Sequence, residues 1–181
     1  LLQSEPFFAA LSRRIEKKMN KSIPTAGVRV NEDGYFEMVY NPDFFEPLTD
    51  KQRTGVLVHE FYHLVFEHVT GRLPDELAGV MTSGKPSPEE AQKFKLWNIA
   101  ADLSINYHIG ADNLPEKCCI PGGPMFEDMP GDKTAEWYYD KLIQKVEEQQ
   151  EQSQGQGEPG DGDGQGGGSG EPGDQPFDPD A

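Results

Sequence analysis

His59, Glu60 and His63 form a His-Glu-x-x-His motif inside an apolar stretch, residues 55–69. On a helix, His59 and His63 lie four residues apart on one face, where two imidazoles can bind one zinc ion. Glu60 lies beside them and can take a proton from a zinc-bound water, as in a metalloprotease. The motif therefore predicts a zinc hydrolase in which Glu60 is the catalytic base.

The surroundings of the motif strengthen this interpretation, because a short motif can also arise by chance. At 100° per residue, Glu60, His63 and Glu67 all fall within about 100° of His59. Nearly all other residues between positions 55 and 69 are apolar, so this part of the helix is predicted to be buried except for the polar arc. Unpaired buried charges are costly, and a divalent cation is the simplest common partner for these side chains.

A third ligand is expected, since catalytic zinc usually has three protein ligands and one position for water. Asn98, Asp102 and Asn106 recur every four residues on an otherwise apolar helix. We predict that Asp102 is the ligand, and that Asn98 and Asn106 orient it or a histidine. The alternative is a polar seam between two helices that binds no metal.

The remaining histidines and Glu67 fit the site less well. His68 is the second choice for the third ligand, but it lies about 180° from His59 on an unbroken helix, and no glycine directly after His63 indicates a break. Glu67 lies on the polar arc, yet about 12 Å along the axis from His59, so it is predicted to cap or tune the site. His108 is predicted to be a surface or packed histidine.

Five further side chains, three tyrosines and two cysteines, are candidates for a chemical role. Tyr107, Tyr138 and Tyr139 could donate to an oxyanion, although tyrosines are more often amphipathic packing residues. Cys118 and Cys119 are the only cysteines, and an adjacent pair is not a disulfide framework. They are predicted to be reduced thiols of a cytosolic protein, with a pair of soft metal ligands as the alternative.

Two capped helices are predicted to position the site. Thr49 begins the motif helix, and Gln52 completes a capping box three residues later; the helix is expected to end at Gly71. Ser87 begins the second long helix, with Pro88 at its first position, and this helix should reach residues 109–110. The residues that follow, 111–132, are rich in Pro and Gly and are expected to be irregular.

Shorter elements complete an α+β domain with a small sheet. Residues 5–20 have the apolar spacing of an amphipathic helix. Residues 27–31 and 35–40 are predicted to be strands joined across Glu32-Asp33-Gly34 as a hairpin. A final helix is expected over residues 135–148.

The net charge of −16 could suggest an acidic decoy for nucleic-acid-binding proteins. Ten of the 32 acidic residues and none of the 16 basic ones lie beyond Lys145, however, so much of the charge belongs to the tail. Residues 147–181 also hold ten of the twenty glycines, which predicts a flexible, disordered linker. We therefore predict a folded domain over residues 1–146 and a linker over residues 147–181 that leads to a missing C-terminal domain.

Targeting signals are not apparent in the sequence. No apolar run approaches the roughly 18 residues of a transmembrane helix, and no signal peptide is visible. The chain does not begin with Met, so we expect a piece of a longer protein. The expected location is cytoplasmic, in a bacterium or in the host if the protein is phage-encoded, and the expected partner is a peptide or protein substrate, with no nucleic acid and no membrane.

The chain resembles the zincin-like metallopeptidase domain of bacterial and phage proteins that precedes a von Willebrand factor A-like (VWA-like) domain. Three pieces carry the resemblance: residues 58–63 with His68 and Arg72 after them, residues 96–106, and residues 134–138. The resemblance implies a zincin-like fold, in which the long motif helix packs with a second long helix and a small sheet. It also implies an edge strand that a peptide could extend, and a VWA-like domain beyond the tail.

Overall fold

A computed structural model describes residues 5–78 and 86–154. Its helices are α1 (Pro6–Ser12), α2 (Pro42–Phe45), α3 (Asp50–Val65), α4 (Asp75–Ala78), α5 (Pro88–Ile109) and α6 (Ala135–Gln154), and its strands are β1 (Glu16–Met19), β2 (Ala26–Val30) and β3 (Phe36–Tyr40). The fold is α+β, as predicted. Within the described ranges, none of the helices is both long and apolar enough to cross a bilayer.

The three strands form one sheet in the order β1-β3-β2. Strands β2 and β3 are antiparallel, with Val28 opposite Met38, and they form the predicted hairpin. Gly34 allows its turn, because this residue has a φ of 81°, a conformation that other residues rarely adopt. Strand β1 pairs with β3 in parallel and was not predicted.

The predicted helix over residues 5–20 is wrong in its second half. Helix α1 ends at Ser12, and Glu16–Met19 forms a strand although its residues favour helix. Pairing with β3 outweighs that preference, since β1 satisfies the backbone groups along the edge of β3. Lys18 adds an ion pair of 2.6 Å with Glu37, a residue of β3 that is only 1% exposed.

Both long helices begin where the sequence predicts. The side-chain oxygen of Thr49 accepts a hydrogen bond from the Gln52 amide, and the Thr49 amide donates to the Gln52 side chain. Ser87 and Glu90 form the same reciprocal capping box at α5, with Pro88 in the first turn. Helix α5 ends at Ile109, as expected.

Two helices end away from their predicted positions. Helix α3 ends at Val65 and not at Gly71. Helix α6 continues to Gln154, six residues beyond the predicted end, because its Glu- and Gln-rich last turns have good helix propensity. The rest of the predicted linker, residues 155–181, lies outside the described residues. Residues 111–132 are irregular as predicted, apart from a short 3₁₀ helix over Ala111–Asn113.

Buried apolar residues form two separate clusters. A sheet-side core joins α1, the sheet and α3, and consists of Phe8, Ile15, Ala26, Val28, Met38, Val58, Phe61 and Leu64. A helical core joins α5 and α6, and includes Leu77, Trp97, Ala100, Ala101, Leu103, Cys119, Met129, Ala135, Tyr138, Tyr139 and Leu142. Helices α3 and α5 meet between these two cores.

The N-terminal half of α3 also contacts the Ala111–Asn113 turn at very short range. A Cβ atom on Gly55 would lie 1.8 Å from the carbonyl oxygen of Asn113, which is an impossible contact. Glycine at position 55 therefore permits α3 to lie against the chain that leaves α5, and this contact fixes the position of the motif helix relative to α5.

Candidate metal centre

Helix α3 presents two different faces to the two halves of the domain. Val58, Phe61 and Leu64 recur every three residues and belong to the sheet-side core. His59 and His63 lie on another face and contact Asp102 of α5. The predicted polar arc is therefore real, and it lies at the interface between α3 and α5.

Helix α5 supplies the other half of the centre. Asp102 and Asn106 are each 1% exposed, and they are one helical turn apart on the side that contacts α3. Ala100 and Ala101 are also buried, and their small side chains allow close packing of the helix. Asn98 is only half-buried and forms no hydrogen bond with the site in the described part of the chain. Two of the three members of the predicted stripe therefore lie on the side of α5 that contacts α3.

Three ligand atoms converge at this interface. His59 Nε2 lies 3.0 Å from His63 Nε2 and 3.4 Å from Asp102 Oδ1, and His63 Nε2 lies 3.2 Å from Asp102 Oδ1. Zinc bonds of 2.0–2.1 Å in tetrahedral geometry separate neighbouring ligand atoms by about 3.3 Å. The three atoms therefore have the spacing of one face of a zinc tetrahedron.

The three ligand atoms of this triangle carry lone pairs that face one another, so they need a cation or a proton between them. All three residues are at most 6% exposed, and within the described part of the chain Asp102 Oδ1 has no hydrogen-bond partner. A buried carboxylate without a donor is costly, and two imidazole lone pairs facing it would add to the cost. The residues present thus fit a bound divalent metal ion.

Asn106 fixes which nitrogen of His59 faces the triangle. The Asn106 side-chain NH₂ donates to the carbonyl oxygen of Cys119 at 3.0 Å, so its Oδ1 points to His59. His59 Nδ1 donates to that oxygen at 2.7 Å. In neutral His59 the proton is therefore on Nδ1, and the lone pair of Nε2 is available to a metal.

Replacing Asn106 with alanine is expected to weaken zinc binding about 10- to 100-fold, the usual effect of losing an outer partner of a histidine ligand. Asn98→Ala is the matched control, because Asn98 lies on the same stripe without bonding to His59. The dissociation constants are measured by competition with a chelator of known affinity. Equal constants for Asn106→Ala and the wild type would show that Asn106 does not act through His59.

The charges of the centre are strongly coupled. Burial by itself would lower the pKa of His59, but the Asp102 carboxylate outweighs it; with smaller contributions from Glu60 and Asn106, it raises the pKa of His59 to about 9. Burial would raise the pKa of Asp102, but His59 and His63 hold it at about 2. Without a cation, the centre thus retains a proton on His59 at neutral pH.

Zinc binding is expected to become stronger as the pH rises from 6.5 to 8.5. Below the His59 pKa of about 9, zinc must displace a proton, so the apparent affinity should rise about tenfold per pH unit. Titration calorimetry in buffers of different ionisation enthalpy should show about one proton released per zinc at pH 7. An affinity independent of pH, after correction for the chelator, would contradict a protonated metal-free centre.

His68 is buried beside the centre, contrary to the prediction that it points away. Phe66 is the C-cap residue of α3, and Glu67 has a φ of 57°, in the left-handed region. The His68 amide donates to the His63 carbonyl at 2.9 Å, and the Glu67 amide donates to the Leu64 carbonyl at 3.2 Å. These bonds form a Schellman motif, which usually ends on glycine.

Tertiary contacts hold this turn in place. The Trp97 indole donates to the His68 carbonyl at 3.1 Å, and the Trp97 ring packs against the His68 ring. Arg72 forms two hydrogen bonds, of 2.7 and 2.5 Å, with the carboxylate of Glu136 in the first turn of α6. Burial, with contributions from His63 and Arg72, lowers the pKa of His68 to about 3, so this imidazole is neutral.

Gly71, the predicted helix end, lies six residues beyond the last residue of α3. A Cβ atom at this position would lie 2.5 Å from Glu67 Oε2, the end of an exposed and flexible side chain that can move aside, so this contact does not require glycine. Glu67 itself is exposed and lies outside α3, which contradicts the prediction that it caps or tunes the site from the helix.

Glu60 is 1% exposed and lies next to His59 on α3. Its charge contributes to the raised pKa of His59. Among the described residues, the group that could hold a metal consists of His59, His63 and Asp102, whose ligand atoms lie within 4.8 Å of one another. Glu60 is therefore near the triangle without being part of it, which suits a base.

The three tyrosines and Cys118 have surroundings that differ from one another. The Tyr138 hydroxyl donates to the Pro130 carbonyl, and the Tyr139 hydroxyl donates to Glu76. Tyr107 is 47% exposed. Burial, with a contribution from Asp102, raises the pKa of the Cys118 thiol to about 12, which makes it a poor nucleophile.

The two cysteines and His108 lie where the sequence analysis suggested. Cys118 and Cys119 are both buried, and neither forms a disulfide bond within the described residues. His108 is exposed, as predicted for a surface histidine.

Comparison with known families agrees with this geometry. The model of the family described as "Putative metallopeptidase domain" matches residues 1–178. The chain belongs to this family. Comparisons with curated proteins and with solved structures give no match. The family membership confirms the resemblance to a metallopeptidase domain, and the three-atom triangle gives this member a candidate metal site.

Sequence reasoning missed the residues that hold His68 beside the centre. The Schellman motif has no glycine at its left-handed position, so the usual signal for a helix end is absent. The partners of the turn, Trp97 and Glu136, are distant in sequence. The carbonyl of Cys119 was also missed, because a backbone acceptor in an irregular segment has no signature in the sequence.

Proposed function

We propose that this protein is a zinc-dependent metallopeptidase domain that hydrolyses peptide bonds with a metal-activated water. The triangle of His59 Nε2, His63 Nε2 and Asp102 Oδ1, with edges of 3.0 to 3.4 Å, is the observation that carries the proposal. Membership of the metallopeptidase family supports the reaction type. The zincin-like fold implied by the resemblance belongs to the same proposal.

Each residue has a defined role in the proposed reaction. His59, His63 and Asp102 hold the ion, and Asn106 keeps His59 in the tautomer that can bind it. Bound zinc polarises a carbonyl and lowers the pKa of water to about 7. Glu60 takes a proton from the attacking water and passes it to the leaving amine.

Zinc is the proposed metal because of the donor set and its spacing. Two imidazoles favour zinc, copper, iron or nickel over magnesium and calcium, which prefer oxygen ligands. Iron(II) oxygenases use the same pair of histidines with one carboxylate. The His-Glu-x-x-His arrangement, with Glu60 as base, favours zinc. Elemental analysis of the purified protein distinguishes these metals.

A peptide-library assay tests the reaction. The full chain is loaded with zinc and incubated with a broad mixture of peptides, and new termini are detected by mass spectrometry. We expect cleavage that disappears on chelation and returns when zinc is restored. Bound zinc at one ion per chain without cleavage of any peptide would contradict the proposed enzyme.

A second candidate function is a metal-dependent scaffold that binds a further domain or an ATPase partner without catalysis. The burial of the centre favours it, since Glu60 is 1% exposed and His59 is 3% exposed, whereas a peptidase must admit a peptide carbonyl. One zinc ion per chain without cleavage of any peptide, together with partner binding that is lost on chelation, would support the scaffold. The library assay separates the two functions because only the enzyme produces new termini.

The proposal also extends to the location and to the neighbouring domain. Cys118 and Cys119 are buried and form no disulfide bond within the described residues, which supports a cytoplasmic location, where thiols stay reduced. The resemblance supports a VWA-like domain acting with this one. Pull-down of the separately produced VWA-like domain by this chain, with and without zinc, tests that pairing, and failure under both conditions would contradict it.

A further inference from the structure

The imidazole of His68 is buried without a hydrogen bond. Its side chain is 2% exposed, and within the described residues neither ring nitrogen has a hydrogen-bond partner. Buried polar atoms in folded proteins nearly always have partners, because an unsatisfied one is costly. A histidine in this position therefore points to a ligand that it binds in some state of the protein.

The helix end places this imidazole beside a proposed zinc ligand. The rings of His68 and His63 meet edge to face, with centroids 5.5 Å apart. In a Schellman motif the residue after the left-handed position commonly packs against the residue five before it. That packing is usually hydrophobic, but here it joins two imidazoles.

The turn that carries His68 has features beyond those needed to end a helix. Glu67 adopts a left-handed conformation that is unfavourable for a residue other than glycine. Trp97 holds the His68 carbonyl, and the paired hydrogen bonds between Arg72 and Glu136 hold the chain just beyond it. Contacts from two helices thus stabilise an unfavourable turn, and the result is the position of His68.

We propose that His68 is a fourth, exchangeable zinc ligand that closes the metal centre until water or a substrate displaces it. The inference rests on the proposed function and adds a regulatory state to it. The ligand atoms of His59, His63 and Asp102 already form a complete set of three, so His68 adds to Asp102 and does not replace it. Its ring nitrogens lie outside that group, so binding to the ion requires the His68 side chain to reorient.

A closed state also accounts for the burial of the centre. Structural zinc sites have four protein ligands and are closed to water, whereas catalytic sites leave one position open. All three proposed ligands and Glu60 are at most 6% exposed, as in a closed site. Release of His68 would convert the first kind of site into the second.

X-ray absorption of the zinc-loaded wild-type protein provides the first test. Scattering from imidazole carbons reports the number of histidine ligands. We expect three histidines in the wild type and two in His68→Ala. Two histidines in both proteins, with zinc bound, would overturn the inference while leaving the proposed metal site intact. The wild-type measurement decides this even where the variant fails to fold.

Azide binding to the cobalt-substituted protein provides the second test, followed by the visible absorption of Co²⁺. Azide must compete with His68 in the wild type, and a closed state populated at about 90% would weaken its binding about tenfold relative to His68→Ala. His108→Ala is the control. His108 is exposed, so this variant should bind azide with the same affinity as the wild type. Equal azide affinity in all three proteins would contradict an exchangeable His68.

These results separate the inference from the proposed function. A wild-type protein that binds neither zinc nor Co²⁺ in its folded state would overturn both. Three histidine ligands without cleavage of any peptide would support His68 as a ligand and contradict the peptidase. Two histidine ligands with zinc-dependent cleavage would support the peptidase and contradict the role of His68.

Discussion

Replacing Glu60 with glutamine is expected to lower peptide hydrolysis by about 10²- to 10⁴-fold, the usual contribution of a positioned general base. Glutamine has nearly the same shape but cannot take a proton from the attacking water. Zinc should stay bound at one ion per chain, because Glu60 lies outside the group of ligand atoms. The rate is measured on whichever library peptide the wild type cleaves fastest, and zinc is measured by elemental analysis.

Glu67→Gln is the matched control for this change. Glu67 is also a glutamate in the motif segment, but it is exposed and lies beyond the end of α3. Its replacement should leave the rate within about twofold of the wild type, as for most surface substitutions. Full activity in Glu60→Gln would contradict the proposed mechanism. Loss of zinc in that variant would instead show that Glu60 supports the metal.

Replacing Asp102 with alanine is expected to reduce zinc affinity more than replacing Asn106 does. Losing a hydrogen-bond partner of a histidine ligand costs about 10- to 100-fold in affinity, and loss of a ligand should cost more. The change removes a charged corner of the triangle and also the largest charge that raises the pKa of His59. Zinc content after dialysis against a weak chelator should fall well below one ion per chain. Chelator competition then gives the dissociation constant.

Asp102→Asn separates the charge of this residue from its packing. Asparagine fills the same space, so a similar loss of zinc would assign the effect to the charge. Asp112→Ala is the control, because Asp112 is an exposed acid on the short turn after α5. Full zinc occupancy in Asp102→Ala would remove Asp102 as the third ligand and leave His68 as the remaining candidate.

The halves of the metal centre could be predicted because each lies on a helix with local signals. Thr49 and Ser87 fix the starts of α3 and α5 through capping boxes that are visible in the sequence. Spacing of four then places His59 with His63, and Asp102 with Asn106, on one face of each helix. The polar stripe on α5 indicated that this helix packs against the polar arc of α3, because few buried surfaces tolerate polar side chains.

The segment after α3 could not be predicted for a physical reason. Its conformation depends on Trp97 and Glu136, which are distant in sequence and contribute only once the helices have packed. Gly71 resembles a helix stop, but α3 already ends at Val65. The error on His68 follows directly, since a helix continued to residue 70 would carry that ring to the opposite side.

Strand β1 shows the same limit at the other end of the chain. The sequence of Glu16–Met19 has good helix propensity, and its four residues are all exposed, so no burial pattern reveals a strand. Its parallel pairing with β3 is a long-range backbone interaction. Such pairing is decided by the partner strand and has no signal within the four residues themselves.

The candidate centre lies on the boundary between the sheet-side core and the helical core. Val58, Phe61 and Leu64 tie α3 to the first core, whereas Ala100 and Leu103 tie α5 to the second. Polar contacts already cross this boundary, including the 2.7 Å hydrogen bond between His59 and Asn106, and a bound ion would add a bond to each helix. We therefore expect the two halves to unfold as one cooperative unit when an ion is bound, and the sheet half to loosen before the helical half when the ion is removed.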